Sequence, residues 1–255
     1  MIHACCVVFL FQLLPITGAS ESGIVGGKVA KPHSRPYMAS LQFGGYHSCG
    51  GVLIRQDFVV TAAHCKYPQP MTVVLGAHDI RKKEKSQQWI QVAEYFPHPK
   101  YTGQFDYDIM LLQLKQNATL NGYVKAIGLP KKDGKIPANT TCAVAGWGKT
   151  GAEMPSSNVL RETMVTMQFG FECKNIWKNY FQTDHMVCTK FDRKKGGVCE
   201  GDSGGPLVCN SKLQGITAFT LKGDCNNPKY PNVFTKVPFF LPWIKKVMQG
   251  SGNVE

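Results

Sequence analysis

Apolar positions in this chain fall mostly into short runs separated by polar residues or by glycine and proline. In the first half, Val52 to Ala62, Met71 to Gly76, Gln88 to Phe96 and Ile109 to Lys115 have the β-branched and aromatic character of strands. A second set follows: Thr141 to Trp147, Leu160 to Gln168, Pro206 to Cys209, Leu213 to Thr220 and Asn232 to Val237. The last stretch, Phe239 to Met248, changes period. Phe240, Trp243, Ile244 and Val247 recur at helical spacing, so a helix is predicted there. Repeats and low-complexity tracts are not evident. With 255 residues, 43% hydrophobic and 18% charged, the chain can form one large all-β domain with a sizeable core, and 26 Gly and 15 Pro supply its turns.

The first residues read differently. Ala4 to Leu14 is an apolar run broken only by Gln12, followed by Pro15 and the small residues Gly18, Ala19 and Ser20. This is the core and cleavage region of a signal peptide, well short of the roughly 20 residues a membrane span needs. A basic leading segment is missing, and an uncleaved anchor is the alternative. Of ten cysteines, Cys5 and Cys6 leave with the signal, and the remaining eight form an even set. Eight cysteines allow 105 pairings, and bonded cysteines imply an oxidising, extracellular setting. Asn117-Ala118-Thr119 and Asn139-Thr140-Thr141 are glycosylation acceptors there.

Three segments carry chemistry: Thr61-Ala62-Ala63-His64-Cys65, Asp108-Ile109-Met110-Leu111-Leu112 and Gly201-Asp202-Ser203-Gly204-Gly205-Pro206. A serine hydroxyl is a weak nucleophile until an imidazole takes its proton and a carboxylate holds that imidazole in the right tautomer. The flanking glycines allow a tight turn that aims backbone N–H groups at a developing oxyanion. In this order the motifs resemble the chymotrypsin-like (trypsin-fold) serine endopeptidases. Asp106, two residues from Asp108, is the rival for the acid, but the apolar continuation follows Asp108 as the family pattern requires.

The resemblance implies an all-β protein of two six-stranded antiparallel β-barrels with a C-terminal helix. Residues 1–23 would be signal peptide and short pro-segment, and residues 24–250 the protease domain. Barrel 1 would span about 24–130, barrel 2 about 131–236 and the helix about 238–249, with the active site between the barrels. The implied roles are His64, Asp108 and Ser203 as catalytic triad, Gly201 and Ser203 as oxyanion donors, and the disulfides Cys49–Cys65, Cys142–Cys209, Cys173–Cys188 and Cys199–Cys225. Ile24-Val25-Gly26-Gly27 resembles the terminus that such enzymes create on activation, where the freed amino group of Ile24 would pair with Asp202. The residues before it, Ser20-Glu21-Ser22-Gly23, offer no Lys or Arg for a tryptic activator. They make two dipeptides, as in the granule proteases (granzymes, mast-cell proteases, neutrophil elastase) that a dipeptidyl peptidase trims.

Where trypsins place the aspartate that binds Lys or Arg, this chain has Gly197, followed by Val198. A basic side chain would lose its partner on desolvation there. The far wall, Ala218-Phe219-Thr220, and Asn232 resemble a shallow, elastase-like pocket, implying cleavage after small or medium aliphatic residues. Alternatively, Asn232 hydrogen-bonds a polar side chain. Ala218 replaces a serine usual in the family, which implies a modest loss of rate. Glu200 would favour a basic residue on the leaving side of the scissile bond.

The formal net charge of +12 becomes +13 when Glu21 leaves with the first 23 residues. Basic clusters lie at Arg81-Lys82-Lys83, Lys131-Lys132, Arg193-Lys194-Lys195 and Lys245-Lys246. Such a field concentrates polyanions. Sulfated proteoglycan is the expected partner, beside protein or peptide substrates and protein inhibitors. Nucleic acid is not, since no nucleic-acid motif appears. No cofactor or metal is expected: His78 to Lys85, the place of a calcium loop in trypsins, is basic, and no zinc spacing occurs. The resulting picture is a secreted monomeric serine endopeptidase stored in granules. A catalytically weak, polyanion-binding homologue is the alternative.

Overall fold

The computed structural model describes residues 24–130 and 136–250. The expected signal peptide, pro-segment and Lys131-Lys132 lie outside the described residues. After the short β1 (Lys28–Val29), the first barrel is built from β2 (Met38–Phe43), β3 (Tyr46–Arg55), β4 (Phe58–Thr61), β5 (Thr72–Leu75), β6 (Gln88–Pro97) and β7 (Met110–Leu114). These antiparallel strands close in the order β2-β3-β4-β7-β6-β5. The second barrel uses β8 (Thr141–Gly146), β9 (Arg161–Met167), β10 (Met186–Lys190), β11 (Pro206–Cys209), β12 (Lys212–Phe219) and β13 (Asn232–Lys236), with helix α1 (Gly170–Trp177) between β9 and β10. Pairing of β9 with β8 closes it, and β1 adds to β9. The chain ends in helix α2 (Val237–Gly250).

Closure removes exposed sheet edges, and alternation along each strand fills the interior. Leu41, Leu53, Phe58, Val60 and Leu111 of the first barrel are fully buried in one cluster. That cluster also takes in Leu213 and Ile216 of β12 and Phe240, Leu241 and Ile244 of α2. The two halves therefore share a core, which fixes the cleft between them.

Several strands differ from their sequence-based bounds. Val52 to Ala62 is two strands, because the chain reverses at Gln56-Asp57, where the Asp57 carboxylate accepts two hydrogen bonds from the Arg55 guanidinium at 2.5 and 2.7 Å. Strands β2 and β10 and helix α1 were not predicted. The turn joining β2 to β3 is Gly44-Gly45, both at positive φ, as a two-residue hairpin turn demands. Among the described residues, no helix is long and apolar enough to cross a membrane.

Candidate active site

His64 lies in a short 3-10 turn (Ala63–Cys65) just after β4, and Asp108 lies just before β7, the strand paired with β4. That pairing brings two residues 44 apart in sequence into contact. His64 Nδ1 donates to Asp108 Oδ2 at 2.6 Å, and the His64 backbone N–H donates to Asp108 Oδ1 at 2.9 Å. Asp108 is buried, its own carbonyl accepting the Thr235 hydroxyl of β13 at 2.8 Å, while the His64 side chain keeps 34% of its surface open. Burial alone would lower the His64 pKa, but the hydrogen bond and negative charge of Asp108 outweigh it and raise the imidazole above its ordinary value.

Asp106 has another partner. His185, at the end of the second barrel where β10 begins, reaches its Oδ1 through Nε2. The rival acid thus holds a different imidazole, and Tyr107, at φ 52, stacks between His98 and His185.

Ser203 is half-buried on the loop before β11. Its carbonyl accepts Gly50 N–H of β3 at 2.8 Å, and Gly204 N–H donates to Thr217 of β12 at 2.8 Å. Gly204, at φ +77, tolerates no side chain: a Cβ would sit 2.1 Å from Thr61 Oγ1 and 2.5 Å from the Gly50 carbonyl. Close approach at this point brings the serine loop against the end of β4, which leads into His64. Gly201 has φ +93, and among the described residues the N–H groups of Gly201 and Ser203 take no protein acceptor. Disulfides Cys49–Cys65, Cys142–Cys209, Cys173–Cys188 and Cys199–Cys225 are formed, the first beside His64.

Asp202 is fully enclosed. Its carboxylate accepts Gly148 N–H at 2.8 Å and Cys199 N–H at 3.0 Å, yet burial pushes its pKa up to about 7 against those two bonds. Ile24 is also completely buried, in a cluster with Val144, Val198 and Leu207, at φ 39. A left-handed backbone is rare for a β-branched residue and stores strain. Next to it, the Val25 carbonyl accepts Gly197 N–H at 3.0 Å.

At the pocket positions, Asn232 is buried. Its Oδ1 accepts Val198 N–H at 3.2 Å, while its Nδ2 has no partner among the described residues. It stands so close to Gly197 that a Cβ there would lie 2.2 Å from Asn232 Oδ1. Ala218 is buried, Thr220 half-buried, and Phe219 turns its ring to Phe105 and Trp177 at 4.5 and 5.0 Å. Phe105, Tyr180, Tyr101 and Ala218 with His64 line a groove of about 520 Å³. Phe105, Tyr180 and Trp177 were not anticipated from sequence. Their only signal is aromatic character on exposed segments. Glu200 pairs with Lys149 at 2.5 Å, and Asn117 and Asn139 are exposed.

Among the described residues no hydrogen bond joins Ser203 Oγ to His64, but a serine loop packed against the end of β4, an imidazole held by a buried carboxylate and two unengaged backbone donors supply the parts of a serine hydrolase. The chain matches the trypsin family over residues 24–244. It is 45% identical over 246 residues to granzyme B of Rattus norvegicus, covering 94% of this chain and 96% of that protein. It is 43% identical to mast cell protease 3 of Ovis aries (97% and 98% covered) and 39% identical to cathepsin G of Mus musculus (95% and 92% covered). The chain belongs to the trypsin family, and it is a serine endopeptidase with granzyme-type relatives.

Proposed function

We propose that Ser203 attacks the scissile carbonyl and is acylated, with His64 taking its proton and passing it to the leaving amine. Asp108 keeps the His64 tautomer, and the Gly201 and Ser203 N–H groups receive the oxyanion. The 2.6 Å hydrogen bond from His64 to buried Asp108 is the observation that carries this reading. Labelling by a fluorophosphonate, abolished in Ser203→Ala, tests it. Persistent labelling in that variant would refute it.

Activation follows removal of residues 20–23 by a dipeptidyl peptidase. The freed Ile24 ammonium then turns inward to Asp202, supplying the counter-charge that a buried carboxylate at pKa about 7 lacks. Release of the strained Ile24 backbone works in the same direction. Full activation by a tryptic cut before Ile24 would contradict the dipeptide route.

The substrate is a protein or peptide cleaved after a small or medium aliphatic residue and not after Lys or Arg, because Gly197 offers no anion and Asn232 fills the space beneath it. A second reading is favoured by one observation. The enclosed Nδ2 of Asn232 has no partner among the described residues, so a substrate side chain that displaced its surroundings to reach it would need a hydrogen-bond acceptor. Cleavage-site profiling separates the two: Asn232→Ala would leave an aliphatic preference intact and erase a polar one. The enzyme is secreted into granules as a monomer bound to sulfated proteoglycan by its net charge, with glycans at Asn117 and Asn139. Glu200 favours a basic residue on the leaving side only weakly, since Lys149 already occupies it.

A further inference from the structure

A second groove, of about 510 Å³, shares no lining residue with the aromatic groove beside His64. Arg81, Lys82 and Lys83 line it together with Tyr46, His47 and Trp89, and among the described residues no acidic one does. Tyr46 is 81% and Trp89 51% exposed, although the Trp89 ring is held by a 3.1 Å bond from Nε1 to Gln87 Oε1.

The cations are presented by a fixed loop. Glu84 turns inward and accepts the N–H groups of His78 and Asp79 at 2.7 and 3.1 Å. His78 O accepts both Trp147 Nε1 and Leu160 N, and Ile80 N–H donates to Asn158 O, so the loop is clamped to the second barrel. Asp79 pairs with Lys82 at 3.2 Å. The acids of the loop are thereby engaged, and Arg81 and Lys83 have no ion pair among the described residues.

Two further observations say what fits. Gln42 lines the groove and is buried. Its Nε2 donates to Ser40 Oγ at 3.1 Å, while its Oε1 has no donor among the described residues. That oxygen is itself enclosed, so a ligand in the groove meets instead the guanidinium of Arg81 and the ammonium of Lys83, which only donate and so fit an acceptor such as a peptide carboxylate. The groove also adjoins the serine loop, because His47 donates from Nε2 to the Gly201 carbonyl at 2.9 Å while its Nδ1 accepts the Ser40 hydroxyl at 2.9 Å.

We propose that this cationic, aromatic groove is an exosite that takes an acidic segment of the protein substrate lying after the scissile bond. The proposal rests on the endopeptidase reading and adds to it the class of substrate preferred. Charge complementarity on an exposed face acts chiefly on encounter and binding and leaves the chemical step alone. The effect therefore falls on KM and fades with salt.

The test uses the trimmed full-length enzyme and two fusion proteins sharing one cleavage sequence, chosen from sites it cuts in a denatured protein. One carries an Asp/Glu linker after that sequence, the other a Ser/Gly linker. The acidic substrate is expected to show a KM lower by about tenfold at low salt, with kcat unchanged. Arg81→Gln/Lys83→Gln should remove that advantage while cutting the Ser/Gly substrate normally. Lys245→Gln/Lys246→Gln, which removes equal charge from exposed positions on α2, should retain it. An equal loss in both variants, or no advantage at all, overturns the proposal. So does loss of heparin retention in the Arg81/Lys83 variant without an acidic-substrate advantage, which would assign the groove to sulfated polysaccharide. Fluorophosphonate labelling and turnover of the Ser/Gly substrate report on the active site separately, so failure of the exosite and failure of the endopeptidase reading look different.

Discussion

Two His–Asp pairs, whose acids Asp106 and Asp108 are neighbours on one loop, have opposite exposure. In His64–Asp108 the carboxylate is 1% exposed and the imidazole 34%. In His185–Asp106 the imidazole side chain is 9% exposed and the carboxylate 44%. A general base needs an open ring with a hidden orienting partner, so only the first pair can reach a substrate. The second reverses this arrangement and joins a loop of the first barrel to the start of β10 in the second. In the proposed mechanism similar chemistry serves catalysis in one place, while in the other it joins the two barrels, and burial distinguishes the two.

The sharpest way to break this contrast is to neutralise each acid in turn. Asp108→Asn should lower kcat by about 10⁴, as expected when the imidazole loses its tautomer partner. Asp106→Asn should cost less than about tenfold in the same steady-state assay. Comparable losses would mean the two pairs act as one unit.

Asp202 gives a third case, a buried carboxylate with no imidazole at all. With its folded pKa at about 7 instead of 3.8, the untrimmed protein binds that proton more tightly than the unfolded chain does. Its stability should therefore fall as pH rises from about 4 to about 7, by roughly 4 kcal/mol. A form cut before Ile24, in which the proposed ammonium pairing with Asp202 supplies the counter-charge, should lack this decline. Urea titrations of both forms across that range would reveal it.

The pH profile sharpens the comparison further. His64 must be neutral to act as base, and its folded pKa is raised above 6.5, so kcat/KM should climb through a limb above that value. Below the limb the rate should drop about tenfold per pH unit. The stability that His64 gains from Asp108 runs the other way, being fully present below 6.5 and lost as pH rises through the folded value. The smallest effect is expected at the docking pair. His185→Phe should destabilise by about 1–3 kcal/mol in thermal unfolding while changing kcat by less than about threefold.

Much of the architecture was legible because strands such as Pro206–Cys209 and Asn232–Lys236 are short apolar runs between breaks. Strand β10, Met186–Lys190, escaped because it mixes Cys, Thr and Lys and owes its place to pairing with β9 and β13. Helix α1 is a short segment with little apolar periodicity, pinned by the Cys173–Cys188 bond. His64, Asp108 and Ser203 stood out because each lies in a local motif. His185 and Asp106, 79 residues apart, have none, and neither does the run Gln42, Ser40 and His47 that borders the basic groove. Contacts of that kind arise only once the barrels have closed.

The amide of Asn232 beneath Gly197 has a practical corollary for redesign. Installing an aspartate at 197 to recruit Lys or Arg would drive its first carbon into Asn232 Oδ1 and to within 3.0 Å of the Phe191 ring. If residue 197 floors the pocket as proposed, admitting Lys or Arg calls for Gly197→Asp and for Asn232 to turn away or shrink, as in Asn232→Gly. On that reading the obstacle to a pocket selective for basic side chains is one of space as well as of charge.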